Sequence, residues 1–250
     1  LTLGLDEGGW EVLAPSAIPF SDKFATPKEM TKVEIAEATQ QFVDGALRSL
    51  EAGFKVVELH FAHGYLASSF LSPLSNTRTD EYGGSLENRS RFVIDTIKAI
   101  RKEIPESAPL VVRISSSEYV EGGFGLEDAV QLSKWMKDAG VDLVDASAGG
   151  NNVNQVLELK PGYQVPFADA IRNQAGIMTG AVGLITEAKQ AEEIIESGKA
   201  DAVFIGREMM RNPYWALYAQ AQLDGKSEHW PVQYKPASMD FSYTGPSGNS

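Results

Sequence analysis

Apolar residues recur along this chain in two alternating rhythms. From Thr31 to about Ala52, Ile35, Phe42, Val43, Ala46, Leu47 and Leu50 keep the three-and-four spacing of one buried helix face. Thr31 and Glu34 form a capping box at its start, and Gly53 follows its end. A mostly apolar run, Phe54 to Leu59, then predicts a buried strand that breaks at Gly64. The alternation repeats. Ser85 caps a helix with Phe92, Val93, Ile97 and Ile100 inward, and Leu110 to Ile114 is β-branched. Gly125 precedes a helix carrying Val130, Leu132, Trp135 and Met136, and Val141 to Ala146 is the next strand. After a Gly/Asn-rich loop, Gly149 to Tyr163, a helix runs from Pro166 to near Asn173, and Gly176 to Val182 is a fourth strand. Thr186 is expected to cap the next helix, which ends at Gly198. Ala202 to Ile205 is a fifth strand, leading into a helix from about Glu208 to Leu223.

Five strands, each followed by a helix, call for a parallel sheet in an α/β fold. Alternation puts Glu58 and His60 on one strand face, as it does Arg113 with Ser115 and Asp145 with Ser147, against Val, Leu and Ile on the other. Shared parity on three neighbouring strands fits a barrel whose interior is the polar face. A doubly wound open sheet, buried on both sides, is the competing arrangement. Residues Leu1 to Pro27 keep neither period and read as loop. The segment 236–250, rich in Pro, Gly and Ser, reads as a flexible tail, which leaves 1–235 as part of one domain.

Composition narrows the chemistry. The 250 residues contain 43% apolar side chains and no apolar run of membrane-spanning length, so a core without a bilayer span is expected, in the cytoplasm. A net charge of -12 disfavours nucleic acid and anionic membranes as partners. The absence of cysteine removes thiolate nucleophiles, iron–sulfur clusters and Cys-zinc sites.

Three constellations carry candidate chemistry. His60 and His63 straddle a strand end, where two imidazoles can converge on one anion or carbonyl oxygen; no third ligand stands at metal spacing, so no metal is assigned. Tyr65, just past Gly64, can present its hydroxyl as a proton donor, or simply pack. Gly183 after the fourth strand, with Gly206 and Arg207 after the fifth, form an anion cradle where barrels frequently bind phosphate. Arg113, mid-strand on the interior face, needs a carboxylate, with Glu58 the nearest candidate, or an electron-rich ligand such as a flavin pyrimidine edge. An isomerase or aldolase acting on a phosphorylated substrate would use the same cradle, but no strand ends in a lysine for a Schiff base.

The run His60-Phe61-Ala62-His63-Gly64-Tyr65-Leu66, with Phe70-Leu71-Ser72-Pro73, Asn76, Arg78, Asp80 through Ser85 and Asn88-Arg89, closely resembles the old yellow enzyme family of flavin-dependent ene-reductases. Gly180 to Gly183, Phe204 to Glu208 and Arg211-Asn212-Pro213 continue the match, and Pro231-Val232-Gln233-Tyr234 resembles the ending of its thermophilic-like branch. The resemblance implies a (β/α)8 TIM barrel holding FMN, reduced by NADPH or NADH and reoxidised by an activated alkene. It implies that His60 and His63 hold the electron-withdrawing group, that Tyr65 supplies the proton, and that Arg113 meets the flavin edge. Gly183, Gly206 and Arg207 would hold its phosphate.

Such a barrel carries three strands before the His-bearing one, so this chain is expected to supply the last five βα units. A separate or rearranged N-terminal barrel portion is expected as partner, as is homo-oligomerisation. A half-barrel module that keeps the cradle without turnover is the alternative. Lys235 stands where the branch usually has an arginine reaching into a neighbouring subunit, and lysine lacks the planar fork.

Overall fold

The computed structural model describes residues 3–227 and 229–237. Its centre is a five-stranded parallel sheet with strands in chain order: β3 (Val57–Phe61), β4 (Leu110–Ser115), β5 (Leu143–Ser147), β6 (Met178–Val182) and β7 (Ala202–Phe204). Before it, β1 (Leu13–Ala14) and β2 (Lys28–Glu29) form a separate parallel pair. The helices are α1 (Lys32–Glu51), α2 (Leu66–Leu71), α3 (Leu86–Glu103), α4 (Leu126–Asp138), α5 (Val165–Ala175), α6 (Ala188–Glu196), α7 (Arg207–Arg211) and α8 (Trp215–Asp224).

The sheet has one apolar and one polar face. Val57, Leu59 and Phe61 alternate buried with exposed Glu58 and His60. The apolar face continues through Leu110, Val112, Ile114, Val144, Ala146 and Ala181 into a single core shared with α1 and α3 to α6. On the polar face, strand register sets His60, Arg113, Asp145, Gly180 and Ala202 in one row. Helices line one side only, which is the arc of a (β/α)8 barrel seen from a polar interior and not a doubly wound sheet.

Local chemistry explains the element ends. The Thr31 capping box forms as expected: Glu34 N–H donates to Thr31 Oγ1 at 3.2 Å, and Thr31 N–H donates to Glu34 Oε2 at 2.7 Å. Ser85 caps α3, accepting from Asn88 N at 3.3 Å. Four expectations shift. The first central strand begins at Val57, because Gly53 is left-handed (φ 94°) and Phe54 folds back to bond Ser49 O, so pairing with β4 starts three residues late. Thr186 is not a cap; α6 is capped at Glu187, and the Thr186 hydroxyl donates to Glu187 Oε1 at 3.3 Å. The helix expected from Glu208 to Leu223 is two helices, since Pro213 has no amide proton and bars Asn212 from helical geometry (φ -129°, ψ 88°). The N-terminal stretch read as loop contains β1 and a short 3-10 turn, Leu5–Glu7. Of the expected tail, 238–250 lies outside the described residues, while 236–237 end a 3-10 helix, Val232–Ala237. Among the described residues no helix is long and apolar enough to cross a membrane.

Candidate active site

The C-terminal ends of the five strands surround one cavity of about 320 Å³, lined by His63, Arg113, Ser147, Gln164, Gly183 and Gly206-Arg207 among others. Five of the seven residues singled out by sequence thus meet in one space. His60 and Tyr65 do not line it, but the His60 ring lies 5.1 Å from that of His63 and 5.4 Å from that of Tyr65, centroid to centroid. Tyr65 and His63 border a second cavity of about 620 Å³, whose apolar wall comes from the N-terminal segment: Trp10, Leu13, Ile18, Phe20 and Phe24.

His63 sits just past β3 in a left-handed conformation (φ 61°). Its amide donates to Ser115 Oγ at 2.9 Å, and Ser115 Oγ donates on to Gly149 O at 2.8 Å, which ties β3, β4 and the loop after β5 together. Its Nε2 lies 2.7 Å from Ser147 Oγ. Gln164 donates its amide to Val182 O at 3.3 Å, which leaves Gln164 Oε1 to accept from the Ser147 hydroxyl at 3.3 Å. In that arrangement Ser147 is free to accept from His63, in the tautomer that carries its proton on Nε2. Burial, with the positive charge of Arg113 and the neighbouring His60, pushes His63 down to about 4, and the same burial lowers His60.

A histidine held below its ordinary value makes the folded state reject a proton that the unfolded chain accepts. Its contribution to stability is present above about pH 6.5 and is lost as pH falls toward 4. The urea-midpoint advantage of the native protein over His63→Gln is therefore expected to shrink between about pH 7.5 and pH 5, by at most about 1.4 kcal/mol per pH unit. A gap that widens on acidification would reverse the assignment.

Arg113 pairs not with Glu58 but with Asp145, its register neighbour on β5, at 3.2 Å between Nε and Oδ2. Glu58 lies two strands from Asp145 and interacts with Arg113 only at longer range.

The anion end of the cavity is built from backbone and Arg207. Gly183 (φ 120°) is followed by Leu184, also left-handed at φ 52°. A side chain at Gly183 would press on Tyr163 and Gln164 at 3.0 Å, whereas one at Gly206 would meet nothing within 4 Å and would occupy the open space itself. Arg207 is exposed, and among the described residues its side chain has neither hydrogen bond nor ion pair, while nearby Arg211 is held by Glu208 at 2.7 Å. In a chain of charge -12, an unpaired arginine beside a glycine-walled recess suits a phosphate. Together with the partly exposed guanidinium of Arg113, this donor set fits a phosphate-bearing ligand with an electron-rich head.

Sequence reasoning passed over Ser115, Ser147 and Gln164. Strand parity put both serines on the inner face, which is the available signal; Gln164, in a loop just before α5, has none.

The family description NADH:flavin oxidoreductase / NADH oxidase matches residues 11–226. The chain belongs to that family. The NADPH dehydrogenase of Geobacillus thermodenitrificans (strain NG80-2) is 55% identical over 225 residues, 90% of this chain and 65% of that protein. The NADPH dehydrogenase of Bacillus subtilis (strain 168) is 49% identical over the same shares. The chain thus spans about 65% of the length of these curated relatives. Among solved structures, a 2-naphthoyl-CoA reductase complex matches with TM-score 0.79 and 30% identity over 87% of this chain and 33% of its own. Morphinone reductase matches with TM-score 0.69 and 24% identity over 84% of this chain and 61% of its own, a likeness of fold.

Proposed function

We propose that this chain forms the cofactor-holding and substrate-facing wall of an FMN-dependent NAD(P)H oxidoreductase that reduces activated alkenes. The observation that carries the reading is the single cavity lined both by Arg113 and by Gly183, Gly206 and Arg207. Bound FMN would supply hydride transfer from a nicotinamide to the β-carbon of an enone, enal or nitroalkene. Arg207 and the glycine amides would hold its phosphate, and Arg113 would meet its electron-rich edge. His63, neutral at physiological pH, offers its Nε2 proton to the substrate's carbonyl or nitro oxygen, and in doing so releases Ser147. His60, packed against both His63 and Tyr65, backs that contact. Tyr65, 65% exposed at the start of α2, supplies the α-proton from the mouth of the aromatic cavity.

Both outer strands of the sheet are open. The groove beside β3, between Phe42 and Ala46 of α1 and Leu59 and His60, supports a complementing N-terminal barrel portion as partner, and homo-oligomerisation of the paired chains is proposed alongside it. The test is to add FMN to the chain alone, and to the chain mixed with the N-terminal part of a homologous dehydrogenase. Bound yellow flavin, anaerobic bleaching by NADPH and recovery with cyclohexenone are expected for the mixture. A preparation that never takes up FMN would end the reading, and FMN binding without turnover would favour a half-barrel module. A yellow, active monomer of the chain alone on gel filtration would end the need for a partner.

A more selective prediction separates the two ends of the cofactor. Arg207→Gln is expected to weaken FMN about tenfold, the scale of one charge-assisted hydrogen bond, and to leave riboflavin, which has no phosphate, unchanged. Equal losses for both in fluorescence titration would place the phosphate elsewhere.

A further inference from the structure

Asp145 is a carboxylate in a costly place. It is wholly buried at the middle of β5, and among the described residues neither of its oxygens has a hydrogen-bond partner. Its contact with Arg113, 3.2 Å from Nε to Oδ2, is an ion pair without hydrogen-bond alignment. The groups that face it are few. From β4 comes Arg113; from β3, beyond Arg113, come Glu58, His60 and His63; β6 and β7 set Gly180 and Ala202 in its row, neither of which titrates. A side chain at Gly180 would collide with the Phe204 ring, so a larger residue there would require that ring to move. One guanidinium therefore serves two clients. Arg113 faces Asp145 on one side and the cavity on the other.

A second negative charge arriving from the cavity side would leave two anions sharing one cation beside a buried carboxylate, which is strongly unfavourable unless one of them is neutralised. Building on the FMN reading, we propose that Asp145 is the redox-linked proton acceptor of this site: when the flavin ring is reduced against Arg113, the Asp145 carboxylate takes up one proton. The balance is complete. The nicotinamide gives a hydride, two electrons and one proton, and leaves as its oxidised cation; the flavin ring gains one negative charge; one proton from solvent forms the O–H bond of Asp145. The net charge around Arg113 is then the same before and after. Burial, with Glu58 adding and Arg113 opposing, already pushes Asp145 up to about 7, so the exchange is poised near neutral pH.

The readout is proton stoichiometry, not turnover. Midpoint potentials of the FMN-loaded protein from the reconstitution above, measured by spectroelectrochemistry from about pH 6 to pH 9, are expected to show one more proton per two electrons for the native chain than for Asp145→Asn just above neutrality. Reduction-induced infrared difference spectra should show a protonated-carboxyl C=O band in the native protein that shifts with ¹³C-labelled aspartate. Parallel potential plots for the two proteins, or no such band in the native protein, would overturn the proposal. If Asp145→Asn fails to fold or to hold FMN, the labelled native spectrum decides alone. Failure of the native protein to take up FMN would instead fell the functional reading, and this inference with it.

Discussion

Replacing Arg78 with alanine should lower the unfolding free energy by about 3–5 kcal/mol, the cost of stripping two carbonyls and a partly buried carboxylate of a charged donor. Arg78 does not line the cavity and has only a 9% exposed surface. Its Nη1 donates to Met30 O at 2.6 Å and to Pro15 O at 3.0 Å, while Nε and Nη2 grip Asp80 at 3.0 and 2.6 Å. One fork thus fastens the ends of β1 and β2 to the loop that precedes α3. That loop is itself held by Asn76, whose amide donates to Phe70 O and Tyr82 O at 2.8 and 2.7 Å.

Alanine would leave the two carbonyls without their donor and Asp80 with only the Tyr82 amide, and Arg78→Lys would recover only part of the loss because a point charge cannot span them. The hydrogen bond from Arg78 holds the Asp80 carboxyl below its ordinary value, so this contribution is present above about pH 3.8 and is lost as pH falls through the lowered value. Urea denaturation should therefore show the native and Arg78→Ala proteins converging in strong acid. The segment carrying Trp10, Phe20 and Phe24 should become protease-sensitive in the variant before the barrel core does. A destabilisation below about 1 kcal/mol, with no change in that cleavage, would show that the fork is redundant.

The βα alternation was readable because each element carries its own period. α3 buries every residue its spacing marks, while α1 buries Ile35, Val43 and Ala46 but leaves Leu47 exposed, and α4 buries Val130, Leu132 and Met136 with Trp135 half-buried; the inner face of the sheet follows from parity alone, down to the serines at the ends of β4 and β5. What parity cannot supply is lateral register. Whether Arg113 meets Glu58 or Asp145 depends on a stagger between strands, and no local pattern encodes it; the observed register puts Arg113 opposite Asp145 and Glu58 opposite Val111. The boundaries that moved did so at tertiary features, such as the late pairing of Val57 with Leu110. The resemblance motif was legible as a block without being separable by role. Within it, Asn76, Arg78 and Asp80 build the scaffold, whereas His63 lines the cavity, and only the contacts tell them apart.

Gly64→Ala should be as damaging as the loss of Arg78, and for a reason confined to a few atoms. Gly64 is left-handed at φ 78°, where an alanine is strained by about 1–2 kcal/mol. A Cβ there would also collide with the carbonyl oxygen of Gly150 and come within 3.3 Å of Asn151 Cα. The contact is reciprocal: a Cβ on Gly150, φ 87°, would lie 2.7 Å from His63 Cα. Neither neighbour is the end of a flexible side chain, so the relief must come from moving backbone, at a further cost of about 1–3 kcal/mol. The backbone that moves carries His63 out of line with Ser115 and Ser147, and Gly64 N–H away from Ser68 Oγ, 2.7 Å distant.

Gly53→Ala is the matched control. It is left-handed at φ 94°, but a Cβ there meets nothing within 4 Å, so strain acts without collision and far from the cavity. Both variants should lose stability in urea, Gly64→Ala by about 2–5 kcal/mol and Gly53→Ala by about 1–2 kcal/mol. Only the first should also alter the histidine NMR signals of His60 and His63 in folded protein. Equal destabilisation with unchanged histidine signals would mean that the turn yields without moving the imidazole, and the position of His63 would then rest on its hydrogen bonds to Ser115 and Ser147 alone.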